Sequence, residues 1–331
     1  MNIFVTGGSG RLGNVLVKKL LSKYPESEVE VLVTPKDKYE EALAGLPLKI
    51  TEGSILDRPL IKQLTKGKDA VFHLAAKISL FPDKDGSVWK TNVEGTRIIA
   101  EESLKVSIGK FIHCSSHHAV EKEPYSSPMD ESRPLALEDR TTYHRSKAYA
   151  EKIILELVGQ GLKAVIINPG TVIGPEDYGP SILGKALIDF FNGKIPFLMN
   201  GMSDYADVRD ISDGIIAAFE KGRVGERYFL TGHMLSMKEI PTLVRTITGK
   251  KLPRNTIPIK MMYTLLPFIN ALSKLKKEQP LFTKDMLYAS QSNPSVLHEK
   301  AKKEIGFKPR STEETFRDSF EWYRKKGWIN Y

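Results

Sequence analysis

Tyr143 and Lys147 are the residues of this chain whose types and spacing best suit proton chemistry. They stand four positions apart, so on a helix both side chains lie on one face, with the ammonium beneath the phenol. A phenol ordinarily titrates near ~10, and a neighbouring cation favours its ionised form, which brings it closer to a pH at which it can exchange a proton. The pair alone is weak evidence, because a Tyr and a Lys at this spacing more often form a solvated helix face.

The beginning of the chain supplies a context for this pair. An apolar run at residues 2–6 leads into Gly7, Gly10 and Gly13, and apolar residues at helical spacing follow. In such a segment Gly7 permits a tight turn, Gly10 lets a pyrophosphate approach the backbone, and Gly13 lets the helix pack closely on the strand. The segment therefore predicts a bound dinucleotide at the helix N-terminus, where free N–H groups point at the ligand.

Strands and helices alternate along the first half of the chain, and these elements must position the two features above. The alternation predicts a Rossmann-type α/β fold, a doubly wound parallel sheet with a smaller, mostly C-terminal substrate lobe. Strands are expected at Val29–Val33, Leu48–Ile50, Ala70–Leu74, Lys110–Cys114 and Ala164–Asn168, and long helices at Val88–Leu104 and Tyr143–Val158.

After about Pro175 the alternation breaks into mixed segments punctuated by Pro and Gly. Residues 1–175 are therefore predicted to form the dinucleotide-binding core, with 203–232 returning to it. Residues 176–202 and 233–331 are predicted to form the substrate-binding lobe.

Seven motifs occur along the chain in a characteristic order: Thr6–Gly13, His73–Ala76, Asn92–Thr96, Cys114–Ser116, Tyr143–Lys147, Asn168–Pro175 and Asp207–Asp210. With them the chain resembles the extended short-chain dehydrogenases/reductases of the NAD-dependent epimerase/dehydratase superfamily. Within that group it looks most like the branch of dihydroflavonol reductases and 3β-hydroxysteroid dehydrogenases. The resemblance is spread over nearly all of the chain.

The resemblance implies an NAD(P)-dependent reductase or dehydrogenase that interconverts a secondary alcohol and a ketone. It implies that Tyr143 donates the proton, that Lys147 binds the ribose and steadies the phenolate, and that Ser116 polarises the carbonyl. It also implies a set of cofactor contacts at Gly7, Gly10, Leu12, Gly13, Ser54, Ile55, Leu74, Ala75, Ala76, Asn92, Tyr143, Lys147, Pro169, Gly170 and Val172.

Local sequence supports the choice of serine. Ser115 and Ser116 follow the predicted strand that ends at Cys114, and residues just past the carboxyl end of a strand face the ligand crevice of an α/β sheet. Ser116 is favoured over Ser115 as the catalytic hydroxyl. The alternative is that one of them merely caps the following turn.

His117 and His118 come next, where relatives usually carry small residues. They and Tyr178 are candidate substrate contacts, although for the two histidines a solvated loop is the favoured interpretation. Adjacent histidines point apart, and no Cys, Asp or Glu cluster surrounds them, so no metal site is predicted.

The end of the second predicted strand bears on the choice between NADP and NAD. NAD sites usually place a carboxylate there for the ribose 2′-hydroxyl, whereas NADP sites supply positive charge for the phosphate. Val33 and Thr34 bring no acid, and Thr34 is a candidate cofactor contact. Arg11 and Lys36 are predicted to reach the phosphate, with a solvated Arg11 as the alternative. NADP is therefore favoured, and NAD, with Asp37 on the ribose, is the alternative.

The formal net charge is +9, and residues 240–277 hold eight basic residues and no acid. Apolar residues recur in this segment at helical spacing, and Pro267 is expected to kink or split the helix. The segment is interpreted as an amphipathic lid helix with its lysines in water. The alternative is a surface that contacts anionic membrane or guides the substrate. Nucleic acid is not expected, because no aromatic-interleaved basic motif accompanies the charge.

The composition of the chain limits which other classes of protein it can belong to. Cys114 is the single cysteine, so no intrachain disulfide framework forms, and no apolar run approaches the ~20 residues of a membrane span. The first predicted strand begins at residue 2 and leaves no room for a cleavable leader, so a cytoplasmic protein is expected. The resemblance implies a homodimer built from the helices at 88–104 and 143–158.

Two other functions remain open on this scaffold. The first is a nucleotide-sugar epimerase or dehydratase, although Asn168–Pro175 looks like the reductase branch and no diphosphate-binding arginine pair is evident. The second is a non-catalytic redox sensor that binds the dinucleotide, although such sensors usually lack the Tyr and Lys pair.

Overall fold

The computed structural model describes residues 1–35, 39–79, 81–195, 197–253, 255–275, 283–289 and 291–330. Its strands are β1 (Asn2–Thr6), β2 (Glu28–Val33), β3 (Lys49–Glu52), β4 (Ala70–His73), β5 (Lys110–Cys114), β6 (Ala164–Pro169), β7 (Thr171–Ile173), β8 (Leu198–Met199), β9 (Met202–Asp207), β10 (Arg227–Leu230), β11 (His233–Ser236) and β12 (Thr256–Ile257).

Its helices are α1 (Arg11–Lys23), α2 (Glu40–Leu43), α3 (Arg58–Thr65), α4 (Ser87–Trp89), α5 (Thr96–Lys105), α6 (Thr142–Val158), α7 (Ile182–Asn192), α8 (Val208–Lys221), α9 (Ile240–Thr248), α10 (Ile259–Leu275), α11 (Lys284–Ala289), α12 (Glu299–Ile305) and α13 (Thr312–Lys325). A π-helical stretch, Lys90–Gly95, joins α4 to α5, and a 3₁₀ turn, His117–Ala119, follows β5.

Within the described residues, seven parallel strands form the main sheet, in the order β10, β6, β5, β4, β1, β2, β3. The order reverses at β1, which lies between β2 and β4, and a ligand crevice opens at such a switch point outside the carboxyl ends of the strands. The predicted doubly wound parallel sheet is thus confirmed. The five strands expected from apolar runs lie within two residues of observed ones.

Helices cover both faces of this sheet. On one face α1 and α8 pack side by side, and Leu16, Leu20 and Ile211 join one core cluster. On the other face α3, α5 and α6 supply residues such as Ile61 and Ile153 to a second cluster. Because both faces are covered, the central strands are apolar almost throughout, which explains why they read as continuous apolar runs.

A second region surrounds the smaller sheet of β7, β9 and β11. The helices α7, α9 and α13 pack there, and the ring edges of Phe316 and Phe320 meet Phe191. The strand β10 returns to the main sheet beside β6, whereas β9 stands in the smaller sheet. From the C-terminal part, α12 packs on α8 and β10 and places Ala301 and Ile305 in the core cluster of α1.

The basic segment forms α9 and α10, and α10 continues through Pro267 instead of being split there. Met262 and Leu266 are buried, whereas Met261 and Phe268 face solvent. Pro267 lies on the exposed side, where water can bond the carbonyl that lacks its N–H partner, so the helix can pass through it. Arg254, Lys276 and Lys277 lie outside the described residues. Among the described helices, none combines the length and apolar composition that crossing a bilayer requires.

Candidate active site

The carboxyl ends of β5 and β6 place the two candidate serines. The amide of Ser115 donates to the carbonyl of Ile167 at 2.7 Å, and Asn168 Nδ2 donates to the carbonyl of Ser116 at 2.9 Å. The Ser115 side chain faces Glu151, where burial raises the pKa of the carboxyl and Ser115 opposes the rise. The Ser116 side chain instead interacts with the phenol of Tyr143. The structure therefore brings Ser116, and not Ser115, to the phenol.

Ser116 also caps the turn that follows it. Its Oγ accepts a hydrogen bond from the amide of His118 at 3.2 Å. The two interpretations weighed for this serine, a turn cap and a hydroxyl at the phenol, thus apply to the same side chain. Because the cap restrains its rotamer, the hydroxyl is held in place before a substrate arrives.

The helix α6 carries the Tyr and Lys pair, and Thr141 caps its start by accepting a hydrogen bond from the amide of His144. Tyr143 is half-buried as a residue, but its hydroxyl end lies inside, and burial raises the pKa of the phenol to about 12 while Ser116 opposes the rise. Lys147 is buried and its Nζ donates to the carbonyl of Cys114 at 2.8 Å. Burial also lowers the pKa of Lys147. The pKa of the phenol is therefore raised in this structure, because desolvation outweighs the lowering expected from a neighbouring cation.

Two buried histidines that the sequence analysis left without a role lie near Lys147. Burial and the charge of Lys147 lower the pKa of His73 to about 3, and they hold that of His113 well below its usual range. His73 is fixed between the hydroxyls of Thr6 and Thr96, at 2.7 and 2.9 Å. Both imidazoles are therefore neutral beside Lys147. A histidine at the end of a buried strand, as in β4, is the signal that could have drawn attention to them.

The glycine loop packs as tightly as its residue types suggest. Gly7 has a φ of +73°, and a Cβ there would lie 2.6 Å from the amide nitrogen of Ala75. A Cβ on Gly13 would lie 2.0 Å from the carbonyl oxygen of Gly7. The amide of Leu74 donates to the carbonyl of Thr6 at 3.0 Å. The structure thus places residues 74–75 directly beside the turn, while Gly10 precedes the first turn of α1.

Asn92 ties the segment after β4 to α6. Its Oδ1 accepts from the amide of Lys77 at 2.7 Å, and its Nδ2 donates to the carbonyl of Lys77 at 3.0 Å and to Ser146 Oγ at 2.9 Å. The side chain is buried. Asn92 therefore holds the stretch that contains Ala76 against the helix of Tyr143, which is a positioning role for this predicted cofactor residue.

Arg11 is engaged elsewhere than at a ribose phosphate. Its guanidinium donates to the carbonyl of Gly174 at 2.9 Å and to Ser181 Oγ at 3.0 Å, and it lies 3.4 Å from Asp177. Arg11 Nη2 also lies 3.5 Å from the hydroxyl oxygen of Tyr323. These bonds join the start of α1 to the second region, so the structure corrects the expectation that Arg11 is available for the phosphate.

The other predicted adenosine contacts lie at the edge of the sheet. Thr34 and Ser54 are exposed just after β2 and β3, whereas Ile55 is buried against Gly95 in the second core cluster. Lys36 and Asp37 lie outside the described residues. Leu12 packs partly against the core cluster of α1.

His117 is buried, so the solvated-loop interpretation is wrong for this residue. Its ring lies 4.0 Å from that of His118, which stacks at 4.3 Å on His144. His144 Nδ1 is 3.1 Å from Asp139. Burial lowers the pKa of His118 well below its usual range and also lowers that of His144. His118 is half-buried, and it is the histidine of the predicted pair that retains exposed surface beside Ser116.

The described contacts of Tyr178 are with α1 and α13. Its hydroxyl accepts from Lys18 Nζ at 2.9 Å, and its ring meets the ring of Trp322 edge-on at 5.1 Å. Lys326 Nζ lies 4.9 Å from the centre of the ring. These contacts occupy both the hydroxyl and the ring, so the structure gives Tyr178 a packing role instead of the predicted substrate contact.

Among the described residues, no group of three or more His, Cys, Asp or Glu side chains is arranged to hold a metal ion.

Comparisons with known proteins agree on one family. The model of the NAD dependent epimerase/dehydratase family matches residues 3–230. The chain is 30% identical to sterol demethylase protein B of Methylococcus capsulatus, over 99% of this chain and 100% of that protein. It is also 30% identical to a putative dihydroflavonol 4-reductase of Synechocystis sp., over 98% of this chain and 95% of that protein. Among solved structures, gox2253 matches with a TM-score of 0.86 at 28% identity, with 99% of each chain covered.

Proposed function

The chain belongs to the NAD-dependent epimerase/dehydratase family, and we propose that it is an NADP(H)-preferring enzyme that interconverts a secondary alcohol and a ketone. The family and its named reductase and dehydrogenase relatives make it an NAD(P)-dependent oxidoreductase of the extended short-chain type. One observation carries the proposed chemistry: Tyr143 and Lys147 lie one turn apart on α6, Lys147 Nζ donates to the carbonyl of Cys114 at 2.8 Å, two residues before Ser116, and Ser116 opposes the rise in the phenol pKa.

The mechanism follows from the protonation of Tyr143 and the charge of Lys147. A nicotinamide cofactor, when bound, would supply or accept the hydride. Tyr143, with a pKa of about 12, is protonated at neutral pH and is suited to donate its proton to a carbonyl oxygen. Ser116 donates a second hydrogen bond to the same oxygen. The buried charge of Lys147 then stabilises the phenolate that remains, and for alcohol oxidation the same groups act in reverse.

A moderately large, mostly apolar substrate is proposed on two grounds. The two relatives described above are named for a sterol and a dihydroflavonol. The segment that follows Ala76 exposes Ile78 and Phe81 to solvent, and exposed apolar side chains suit contact with an apolar ligand. Turnover of a panel of steroid and flavonoid ketones tests this class.

NADP is proposed over NAD because Val33 and Thr34 bring no acid to the end of β2. With Arg11 bound to Gly174, Ser181 and Asp177, the positive charge that favours the phosphate is assigned to Lys36. Calorimetric affinities for NADPH and NADH at low salt test the preference.

A nucleotide-sugar epimerase or dehydratase is the alternative, and the description of the matching family favours it. The two activities differ in whether they consume the nicotinamide cofactor. A reductase consumes NADPH in proportion to its product, whereas an epimerase or dehydratase converts UDP- or dTDP-glucose with no net change in nicotinamide absorbance. Conversion of a sugar nucleotide on those terms would replace the reductase proposal.

The principal test removes the proposed proton donor. Tyr143→Phe should lower the turnover number at least a hundredfold and leave the dissociation constant for NADPH nearly unchanged, because only a hydroxyl is lost. Lys147→Ala should lower turnover and weaken cofactor binding together. Stopped-flow absorbance and fluorescence titration measure the two quantities.

Tyr149→Phe is the matched control, because Tyr149 lies on the same helix and packs against Trp89. It should retain turnover within a few-fold of the wild type. Activity in Tyr143→Phe within tenfold of the wild type would remove Tyr143 from the proposed mechanism.

Two contacts with partners are also proposed. The side-by-side helices α5 and α6 are assigned to a homodimer by the family resemblance, which light scattering tests. The exposed face of α10, with Met261, Phe268 and Lys260, is assigned to peripheral contact with anionic membrane. Failure to sediment with acidic-lipid vesicles at low salt would exclude that contact.

A further inference from the structure

His117 and Asp204 face each other in the interior beside the candidate active site. They are 2% and 0% exposed. His117 Nδ1 lies 3.0 Å from the carbonyl oxygen of Pro169, so this nitrogen carries a proton and donates it. His117 Nε2 lies 3.7 Å from Asp204 Oδ1. Among the described residues neither of these two atoms has a hydrogen-bond partner.

Asp204 holds the same piece of backbone from its other side. Its Oδ2 accepts a hydrogen bond from the amide of Thr171 at 3.3 Å. A Cβ on Gly170 would lie 1.5 Å from that oxygen, so only glycine fits between the two groups. Pro169, Gly170 and Thr171 are thus enclosed by His117 and Asp204, where β6 ends and β7 begins.

The enclosed segment adjoins the proposed chemistry. His117 directly follows Ser116, and Asn168 donates to the carbonyl of Ser116 at 2.9 Å. The segment also leaves β6 at the carboxyl edge of the sheet, where the crevice of a doubly wound fold lies. A shift of this backbone would therefore move one wall of the crevice and the turn that carries the serine.

We propose that His117 and Asp204 form a clamp that fixes the backbone of Pro169–Thr171 against the nicotinamide half of the bound cofactor. The proposal rests on the proposed function, because it requires a dinucleotide in the crevice. A lone carboxylate oxygen is costly in a dry interior, and His117 Nε2, 3.7 Å from Oδ1, gives that oxygen a polar neighbour. His117 is therefore a positioning residue that contacts the backbone of Pro169–Thr171 and not the substrate.

The test compares the whole cofactor with a fragment that lacks nicotinamide. His117→Asn keeps a donor for the Pro169 carbonyl but removes Nε2, so Asp204 Oδ1 loses the polar atom that faces it. We expect the dissociation constant for NADPH to rise about tenfold or more, while that for 2′-phospho-ADP-ribose stays within twofold of the wild type. Fluorescence titration and calorimetry measure the two ligands, and thermal unfolding reports the folded state.

A second pair of variants separates a clamp from general loss of packing. Asp204→Ala removes the acceptor of the Thr171 amide and should show the same selective loss of NADPH affinity. Asp204→Asn keeps that acceptor and can donate to Nε2, so it should bind NADPH within about threefold of the wild type. His233→Asn, which changes an exposed histidine on the neighbouring strand β11, is the control and should change neither ligand.

The outcomes are distinct. Equal weakening of NADPH and the fragment, or no weakening of either in His117→Asn and Asp204→Ala, would overturn the clamp while leaving the proposed function intact. A wild-type protein that binds neither ligand would overturn the proposed function, and the clamp would fall with it.

Discussion

Glu151 lies one helical turn beyond Lys147 on α6, and its side chain is fully buried. Asn168 Nδ2 donates to its Oε1, and Arg227 Nη1 lies 3.8 Å from its Oε2. Burial raises the pKa of Glu151 although Arg227 and Lys147 oppose the rise. Burial lowers the pKa of Lys147, and the charge of Glu151 opposes that fall. This carboxylate therefore helps Lys147 to remain charged near the phenol.

We expect Glu151→Ala to lower the free energy of unfolding by about 3 kcal/mol, because Arg227 and Asn168 lose their buried partner. Glu151→Gln should cost less, since its Oε1 can still accept from Asn168. Because the folded-state pKa of Glu151 is raised, the wild type should lose stability as the pH rises from the ordinary glutamate pKa through the folded one. The Gln variant should lack that loss. Urea unfolding at several pH values measures these differences.

Glu156→Ala is the matched control, because Glu156 is exposed on the same helix. It should change the free energy of unfolding by no more than about 0.5 kcal/mol. If Glu151→Ala lowers the free energy of unfolding as little as Glu156→Ala does, the buried contacts of Glu151 contribute nothing to stability.

At the residue scale, the sequence indicates groups that lie close together in the chain. Tyr143 and Lys147 share one helix face, so their spacing alone suggests a joint role. The environment of His117 could not be predicted in this way, because its partners Pro169 and Asp204 lie on remote strands. The same limit explains why the pKa of Tyr143 was expected to fall, since burial of the phenol depends on packing that no local pattern reveals.

At the scale of elements, the strand–turn–helix at the beginning of the chain depends on two glycines that permit close approach. A side chain at Gly13 would strike the carbonyl oxygen of Gly7 at 2.0 Å and the Cα of Gly8 at 2.7 Å. Both obstacles are backbone atoms, which cannot move aside as a flexible side chain can. The start of α1 can therefore lie against β1 only without a Cβ at this position.

Gly13→Ala should therefore displace α1 from the turn. We expect it to lower the free energy of unfolding by about 2 kcal/mol, as overpacking does, and to weaken NADPH binding at least tenfold because the helix N-terminus moves. Urea unfolding and fluorescence titration measure the two effects.

Gly179→Ala is the matched control, since a Cβ there meets nothing within 4 Å. It should leave both quantities nearly unchanged. Tight NADPH binding by Gly13→Ala would show that the turn can absorb a methyl group and that the close approach is not required.

Element boundaries were predictable where burial is complete on both faces. Four of the five expected strands, β2, β4, β5 and β6, are mostly buried and are mainly apolar runs ended by polar or turn residues, which are local signals, whereas β3 is exposed at the edge of the sheet. The split expected as one outcome at Pro267 does not occur, and this could not be predicted because the outcome depends on whether water or protein faces the proline. The sequence likewise does not reveal that α12 packs on α8, since that contact depends on the fold of the whole chain.

At the scale of the whole molecule, Arg11 joins the cofactor loop to the second region. Its partners Gly174, Ser181 and Asp177 follow β7 and lead into α7, and Tyr323 on α13 bonds the same Asp177 at 3.1 Å. The guanidinium is 9% exposed and Asp177 is 3% exposed, counting side chains alone. A buried ion pair at this junction makes the position of the second region depend on the first turn of α1.

Arg11→Met should therefore act on stability and not on cofactor choice. We expect a loss of about 3 kcal/mol in the free energy of unfolding, because Asp177 stays buried without its cation. Arg317→Met, at an exposed ion pair on α13, should cost no more than about 0.5 kcal/mol. Urea unfolding compares the two variants.

Arg11→Met and Lys36→Gln together show which cation binds the 2′-phosphate of NADPH. In the wild type we expect tighter binding of NADPH than of NADH by calorimetry at low salt, with the preference shrinking as salt screens the phosphate. Arg11→Met should leave the ratio of the two affinities unchanged, because the guanidinium is bound at the junction. Lys36→Gln should bring the ratio toward one. If Arg11→Met abolishes the preference instead, the guanidinium must leave Asp177 when the cofactor binds, and the junction would open with each binding event.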